Sequence, residues 1–160
     1  METAVLSSEQ IYERNAADCD ASVIKLQSEP APLISVIMPA YNAERFIEQA
    51  IRSVQRQTVC NWELIVVDDC SADKTAEQIR QLATEDMRII PVYSEMNHGA
   101  AESRNIALRQ CRGEFIALLD ADDIWRPQKL EKQLEKARET DADIIYTSYA
   151  MIDEQGKRCY

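Results

Sequence analysis

Glycine is nearly missing from this sequence. Only Gly99, Gly113 and Gly156 occur among 160 residues. They cannot write a Gly-x-Gly-x-x-Gly turn or a P-loop, which excludes both glycine-built phosphate cradles and, with the first, a dinucleotide dehydrogenase. Positive charge is scarce as well. Lys and Arg number 18 against 28 Asp and Glu, a formal net charge of −10. A nucleic-acid backbone or an anionic membrane needs clustered cations, so neither is expected as a partner. A phosphate-bearing small ligand stays open, because a divalent cation bridges carboxylates to phosphates. No stretch approaches the roughly 20 apolar residues of a membrane span. The first residues carry Glu2, Glu9, Glu13 and Asp18, with no basic start or apolar run, so no signal peptide is expected. The five cysteines, Cys19, Cys60, Cys70, Cys111 and Cys159, are odd in number and lack Cys-x-x-Cys spacing. Neither a disulfide framework nor a zinc site is expected, and a cytoplasmic location follows.

What is present is an ordinary globular balance, 46% apolar and 29% charged, in a length that suits one domain. Residues 1–31 read as a leader and linker, in part helical around residues 9–17, ending in Glu29-Pro30-Ala31-Pro32. The domain is expected over 32–160. Short β-branched runs at 33–38, 63–67, 88–93, 114–119 and 143–149 predict strands, the first of them buried on both faces. Helical segments fall between them. Phe46, Ile47, Ala50, Ile51 and Val54 share one face, with Asn42 as the expected cap. Ser71 or Asp73 is placed to cap the next, which turns Ala76, Ile79 and Leu82 inward. A third spans about 100–110 and stops near Gly113. A fourth starts at Pro127 and presents Leu130 and Leu134. Alternating strands and helices define an α/β protein with a mainly parallel sheet flanked by helices. Ligands bind at the carboxyl ends of such strands.

Polar clusters follow three of the runs: Pro39-Ala40-Tyr41-Asn42, Asp68-Asp69-Cys70-Ser71 and Asp120-Ala121-Asp122-Asp123. Three carboxylates within four residues repel one another unless a cation relieves them, and oxygen-only ligands favour Mg²⁺ or Mn²⁺. Capping of the next helix explains the same aspartates equally well. Asp68 and Asp69 offer either a cap or an acceptor for a nucleobase N–H. Tyr41 is either a packing residue or an aromatic platform. Arg104 can meet a diphosphate or lie solvated, and His98 is taken as a turn residue beside Gly99.

Taken in order, these segments resemble the family 2 glycosyltransferases. The text that carries the resemblance is Ser35-Val36-Ile37-Met38-Pro39-Ala40-Tyr41-Asn42, then Trp62-Glu63-Leu64-Ile65-Val66-Val67-Asp68-Asp69-Cys70-Ser71. It continues with Asn97-His98-Gly99 through Ser103-Arg104-Asn105 and ends with Gly113-Glu114-Phe115-Ile116-Ala117-Leu118-Leu119-Asp120-Ala121-Asp122-Asp123. It covers about residues 33–150. The resemblance implies a Rossmann-like GT-A fold and a nucleoside-diphosphate sugar, most often UDP-linked, as donor. It also implies an acceptor hydroxyl on a saccharide, lipid or protein, and transfer with inversion. Pro39 and Tyr41 would cradle the base, Asp69 would bond its edge, and Arg104 would lie near the nucleotide. Asp120 and Asp122 would be the family's Asp-x-Asp pair. In that pair Asp122 is the direct ligand of Mn²⁺ or Mg²⁺, Asp120 lies nearer the ribose or sugar, and Asp123 adjoins them. The family's catalytic base and most of its acceptor site lie in a later part of the domain. The chain therefore reads as a truncated donor-binding half, and no residue here is assigned as the base.

Two other readings share some of these features. A non-catalytic nucleotide-sugar-binding module has the same donor site without turnover. A phospho-receiver signalling domain also places acidic residues at strand ends. Its acidic pair should end the first core strand, however, and here residues 33–38 precede Asp68-Asp69.

Overall fold

The structure, a computed structural model, describes residues 32–140, 142–153 and 157–159. The expected leader and its helix around residues 9–17 lie outside them. Four strands, β1 (Ile34–Ala40), β2 (Trp62–Asp68), β3 (Ile89–Tyr93) and β4 (Phe115–Leu118), form one sheet in the order β3-β2-β1-β4. All pairings are parallel, with Ile34 opposite both Trp62 and Phe115. Between and after the strands run α1 (Ile47–Gln55), α2 (Thr75–Glu85), α3 (Ala100–Leu108) and α4 (Lys129–Thr140). The expected α/β sheet flanked by helices is present.

Every residue of β1 and β2 is buried. Their alternating side chains feed two cores. Val36, Met38, Leu64 and Val66 pack with Ile47, Ile51, Val54, Ile79 and Leu82 on the α1 and α2 side. Ile37, Ile65 and Val67 pack with Ala107 on the α3 side. Burial on both faces is why these strands read as nearly unbroken apolar runs, each buried aliphatic side chain contributing about 1.5–3 kcal/mol. The outer strands are less covered, and Ile116 and Leu118 of β4 are exposed. Leu130 and Leu134 of α4 enter the first core, as their spacing predicts.

β4 is located by a polar clasp at the opposite end of the sheet from the site. Glu63, buried to 1% exposure in β2, accepts the Ser35 hydroxyl at 2.6 Å and the Arg112 N–H at 2.8 Å. The Arg112 guanidinium closes on the other carboxylate oxygen at 2.8 and 2.6 Å. The next residue is Gly113, where a Cβ would sit 2.5 Å from the Ser35 backbone nitrogen. Only glycine permits so close an approach just before β4.

Four expectations are corrected. Residues 143–149 form no strand: Ile144, Tyr146 and Tyr149 are 82%, 91% and 90% exposed, and no described strand pairs with this run. Its β-branched and aromatic composition carries a propensity, but a strand exists only through a partner. Asn42 does not cap α1, which begins several residues later behind Phe46 with no side-chain cap. Phe46 itself leaves the core face and stands 37% exposed. Neither Ser71 nor Asp73 caps α2: Lys74 holds the N-cap position with no side-chain cap bond, and Asp73, one residue earlier, accepts the N–H of Thr75 at 3.0 Å in a local turn.

Candidate active site at the carboxyl edge of the sheet

β2 and β3 succeed β1 on one side, whereas β4 returns to its other side. The strand order reverses between β1 and β4, the place where open parallel sheets hold ligands. A cavity of about 550 Å³ opens there, within the range of small-molecule sites. Pro39, Tyr41, Asp69, Arg104, Asp120 and Asp122 all line it. The six residues singled out in the sequence therefore face one space, although four separate segments supply them.

Each wall has a local cause. The loop after β1 turns at Asn42, whose φ of +48° suits a residue that tolerates the left-handed region. Its N–H donates to the Ser71 hydroxyl at 2.9 Å, and its side-chain oxygen accepts the Ala72 N–H at 2.9 Å. Ala43 N–H donates to the Thr75 hydroxyl, and Glu44 N–H to Asp73. Burial pushes the Asp73 carboxyl up, but the Thr75 hydroxyl and N–H and the Glu44 N–H outweigh it and hold the acid below its usual value. The loops after β1 and β2 are thus stitched together, and Tyr41 projects from this frame at 53% exposure. Cys70 also sits at positive φ, +63°, a strained setting for a side-chain residue and of the kind that clusters at functional sites.

Asp69 is 2% exposed. Its two oxygens accept the backbone N–H groups of His98 at 2.9 Å and Gly99 at 2.7 Å. Gly99, at φ +84°, starts α3 in a conformation open to glycine. Asp69 therefore ties the loop after β3 to the end of β2, and His98 contributes its backbone rather than its imidazole. Asp68 points to the other face of β2; it is buried, and its Oδ1 has no hydrogen-bond partner. From α3, the Arg104 guanidinium reaches Asp120 at the end of β4, N···O 2.5 Å. Asp122 is exposed and forms no hydrogen bond or ion pair among the described residues. Asp123 stands off the cavity wall, and its acid is raised by burial and by the charges of Asp122 and Asp120. Beyond the rim, burial lowers the Lys129 ammonium to about 8, and its Nζ lies 3.8 Å from the centre of the Trp125 ring.

Sequence reasoning missed three parts of this site. Phe46 and Ser103 line the cavity, yet both look like core positions of amphipathic helices. The Asn42–Ser71 bridge joins residues 29 apart, which no local pattern announces.

An Asp69→Ala protein is expected to lose two charge-assisted acceptors at once and to release the 97–99 loop. Stability should fall by about 2 kcal/mol. Unfolding in urea checks the figure, and an unchanged midpoint would mean that Asp69 does not hold the 97–99 loop.

A parallel sheet with its order reversed between β1 and β4, and an acidic rim at that point, defines a GT-A-like domain. The chain belongs to glycosyl transferase family 2, whose family model matches residues 35–160. It is 45% identical over 121 residues to UDP-Glc:alpha-D-GlcNAc-diphosphoundecaprenol beta-1,3-glucosyltransferase WfgD of Escherichia coli, covering 76% of this chain and 47% of that one. It is 32% identical over 128 residues to glycosyltransferase GlyG of Streptococcus pneumoniae, covering 80% and 42%. The chain spans about half the length of the curated relatives it matches first. Among solved structures it is similar to residues 1–349 of S. aureus TarS in complex with UDP-GlcNAc. That match has a TM-score of 0.63 and 29% identity, over 74% of this chain and 38% of that one. It is also similar to the mannosyltransferase PcManGT from Pyrobaculum calidifontis in complex with GDP-Man and Mn²⁺, with a TM-score of 0.59 and 28% identity over 82% and 39%. No helix among the described residues is long and apolar enough to cross a membrane.

Proposed function

We propose that this chain forms the nucleotide-sugar-binding half of a glycosyltransferase that uses a UDP-sugar and Mn²⁺ or Mg²⁺. The sugar passes, with inversion, to a hydroxyl of a saccharide, lipid or protein acceptor. One observation carries the reading: Tyr41, Asp69, Arg104, Asp120 and Asp122 open onto a single cavity. UDP as the carrier draws support from the donor named for WfgD and the ligand of TarS.

The residues present fit a divalent cation held jointly with a diphosphate. No group of three described Asp, Glu, His or Cys residues makes a protein-only cage. Mg²⁺ and Mn²⁺ need none, since one or two carboxylates and substrate phosphates complete their shell. Asp122 has a carboxylate without a hydrogen-bond partner, beside an Asp123 whose acid is raised by burial and by its acidic neighbours. Bound there, the cation neutralises the charge that grows on the departing diphosphate.

The chain's own groups do the rest. Tyr41 offers a ring to the base, and the stitched 41–44 and 71–75 loops hold that ring in place. Asp69 fixes the 97–99 backbone, and through it the start of α3 and Arg104. Arg104 meets the diphosphate with a planar fork of donors. In the transfer, the acceptor oxygen bonds to the anomeric carbon as the bond to the diphosphate oxygen breaks, and the hydroxyl proton leaves to a base. No residue of this chain is assigned that last role. A cytoplasmic setting completes the proposal. The free thiols of Cys70, Cys111 and Cys159 support it, whereas Cys60 is disulfide-bonded, against the expectation of thiols throughout.

Calorimetry with UDP tests the reading. UDP should bind in EDTA and bind at least about tenfold tighter, roughly 1.4 kcal/mol, with Mn²⁺. Equal affinity under the two conditions counts against the metal, and GDP binding as tightly as UDP counts against the base assignment.

A further inference from the structure

We propose that Arg104 and Asp120 are an exchangeable pair: the donor's diphosphate takes the Arg104 guanidinium from Asp120, and so frees the Asp120 carboxylate for the cation or the sugar. The inference rests on the donor-site reading above and adds to it a coupling between diphosphate and cation.

Arg104 and Asp120 come from different elements, the middle of α3 and the end of β4, and both face the cavity. Their ion pair therefore spans the wall where the ligand is to lie. Among the described residues lining the cavity, Arg104 alone is basic. In the closed pair it is committed to Asp120 at 2.5 Å, so the basic side chain of the described lining is already engaged. The same contact occupies one oxygen of Asp120, half of the Asp-x-Asp pair. Each partner masks the other's ligand-binding group.

The balance of strengths favours exchange. The side chains of Arg104 and Asp120 are 34% and 53% exposed, so water screens their attraction and the pair is weak. A diphosphate presents more charge and more acceptor oxygens, and the guanidinium fork binds it through two parallel donors. Once Arg104 turns to the phosphates, Asp120 is left as an unpaired carboxylate beside Asp122. By linkage, the diphosphate then raises the affinity for a cation, and the cation raises that for the diphosphate.

A metal-free experiment isolates the exchange. UDP is titrated in EDTA into the wild-type chain, Asp120→Asn, Arg104→Gln and the double variant. Loss of the competing carboxylate should make Asp120→Asn bind UDP roughly two- to fivefold more tightly than wild type, the scale of an exposed ion pair. Arg104→Gln should bind UDP more weakly than wild type. On the Arg104→Gln background, Asp120→Asn should change nothing. Equal or weaker UDP binding by Asp120→Asn overturns the exchange while leaving the donor site standing. A gain of the same size on the Arg104→Gln background also overturns it, because removal of a repelling charge then explains the effect. Failure of all four proteins to bind UDP overturns the donor-site reading itself.

Discussion

Asp122→Ala is expected to abolish the metal-dependent part of UDP binding and little else. In the wild-type chain Mn²⁺ should tighten UDP at least about tenfold; in the variant, affinities in Mn²⁺ and in EDTA should coincide. The geometry explains why the effect should be so selective. Asp122 sits on the rim of the cavity, exposed and without a hydrogen bond or ion pair among the described residues. Its truncation leaves no partner stranded, so stability should stay within about 0.5 kcal/mol of wild type. Asp120 is different, because its loss also releases Arg104. Paired calorimetric titrations and a melting curve measure both quantities. A variant that keeps the full Mn²⁺ increment removes Asp122 from the metal site.

The second large effect is on stability and lies far from the cavity. Arg112→Ala should destabilise the domain by about 3 kcal/mol, the low end for breaking a buried ion pair. Glu63 is buried at 1% exposure, and the Arg112 side chain is its counter-charge, itself 58% exposed. Without that side chain the carboxylate keeps only the Ser35 hydroxyl and the Arg112 N–H. Partial access of water through the vacated surface is why the low end applies. For a domain of this size the loss corresponds to a fall of roughly 10 °C in the melting midpoint. Unfolding in urea reads the same quantity. A change below about 1 kcal/mol would mean that the clasp contributes little to holding β4 on β1.

How far the sequence foretold this depends on where each residue's reason lies. β1 and β2 were legible because burial on both faces writes itself into a continuous apolar run. The helix faces of Ile47, Ile51 and Val54, and of Leu130 and Leu134, were legible for the same reason at a different period. The three polar clusters were also legible, since each follows an apolar run and a parallel sheet sends them to one edge. Phe46 was misjudged because the 3.6 periodicity extends one residue beyond the helix that gives it meaning. Asn42 was misjudged because its partners Ser71 and Ala72 lie in another loop. The 143–149 run has the composition of a strand, and composition does not name a partner. Glu63 reads as one polar letter in an apolar strand. Its burial makes sense only beside Ser35 and Arg112, which folding brings together from the other two segments.

The place of β1 in the sheet also bears on when the cavity comes into being. Part of its wall hangs from the end of β1, but another part arrives with β4, whose residues pair with β1 across about 80 residues of chain. During synthesis the amino-terminal strands emerge long before that partner does, and one flank of β1 must wait uncovered in the meantime. A nascent chain halted before Asp122 leaves the ribosome has no such pocket to fill. Ligand capture therefore reports the joining of β4 to β1 and can serve as a clock for that step.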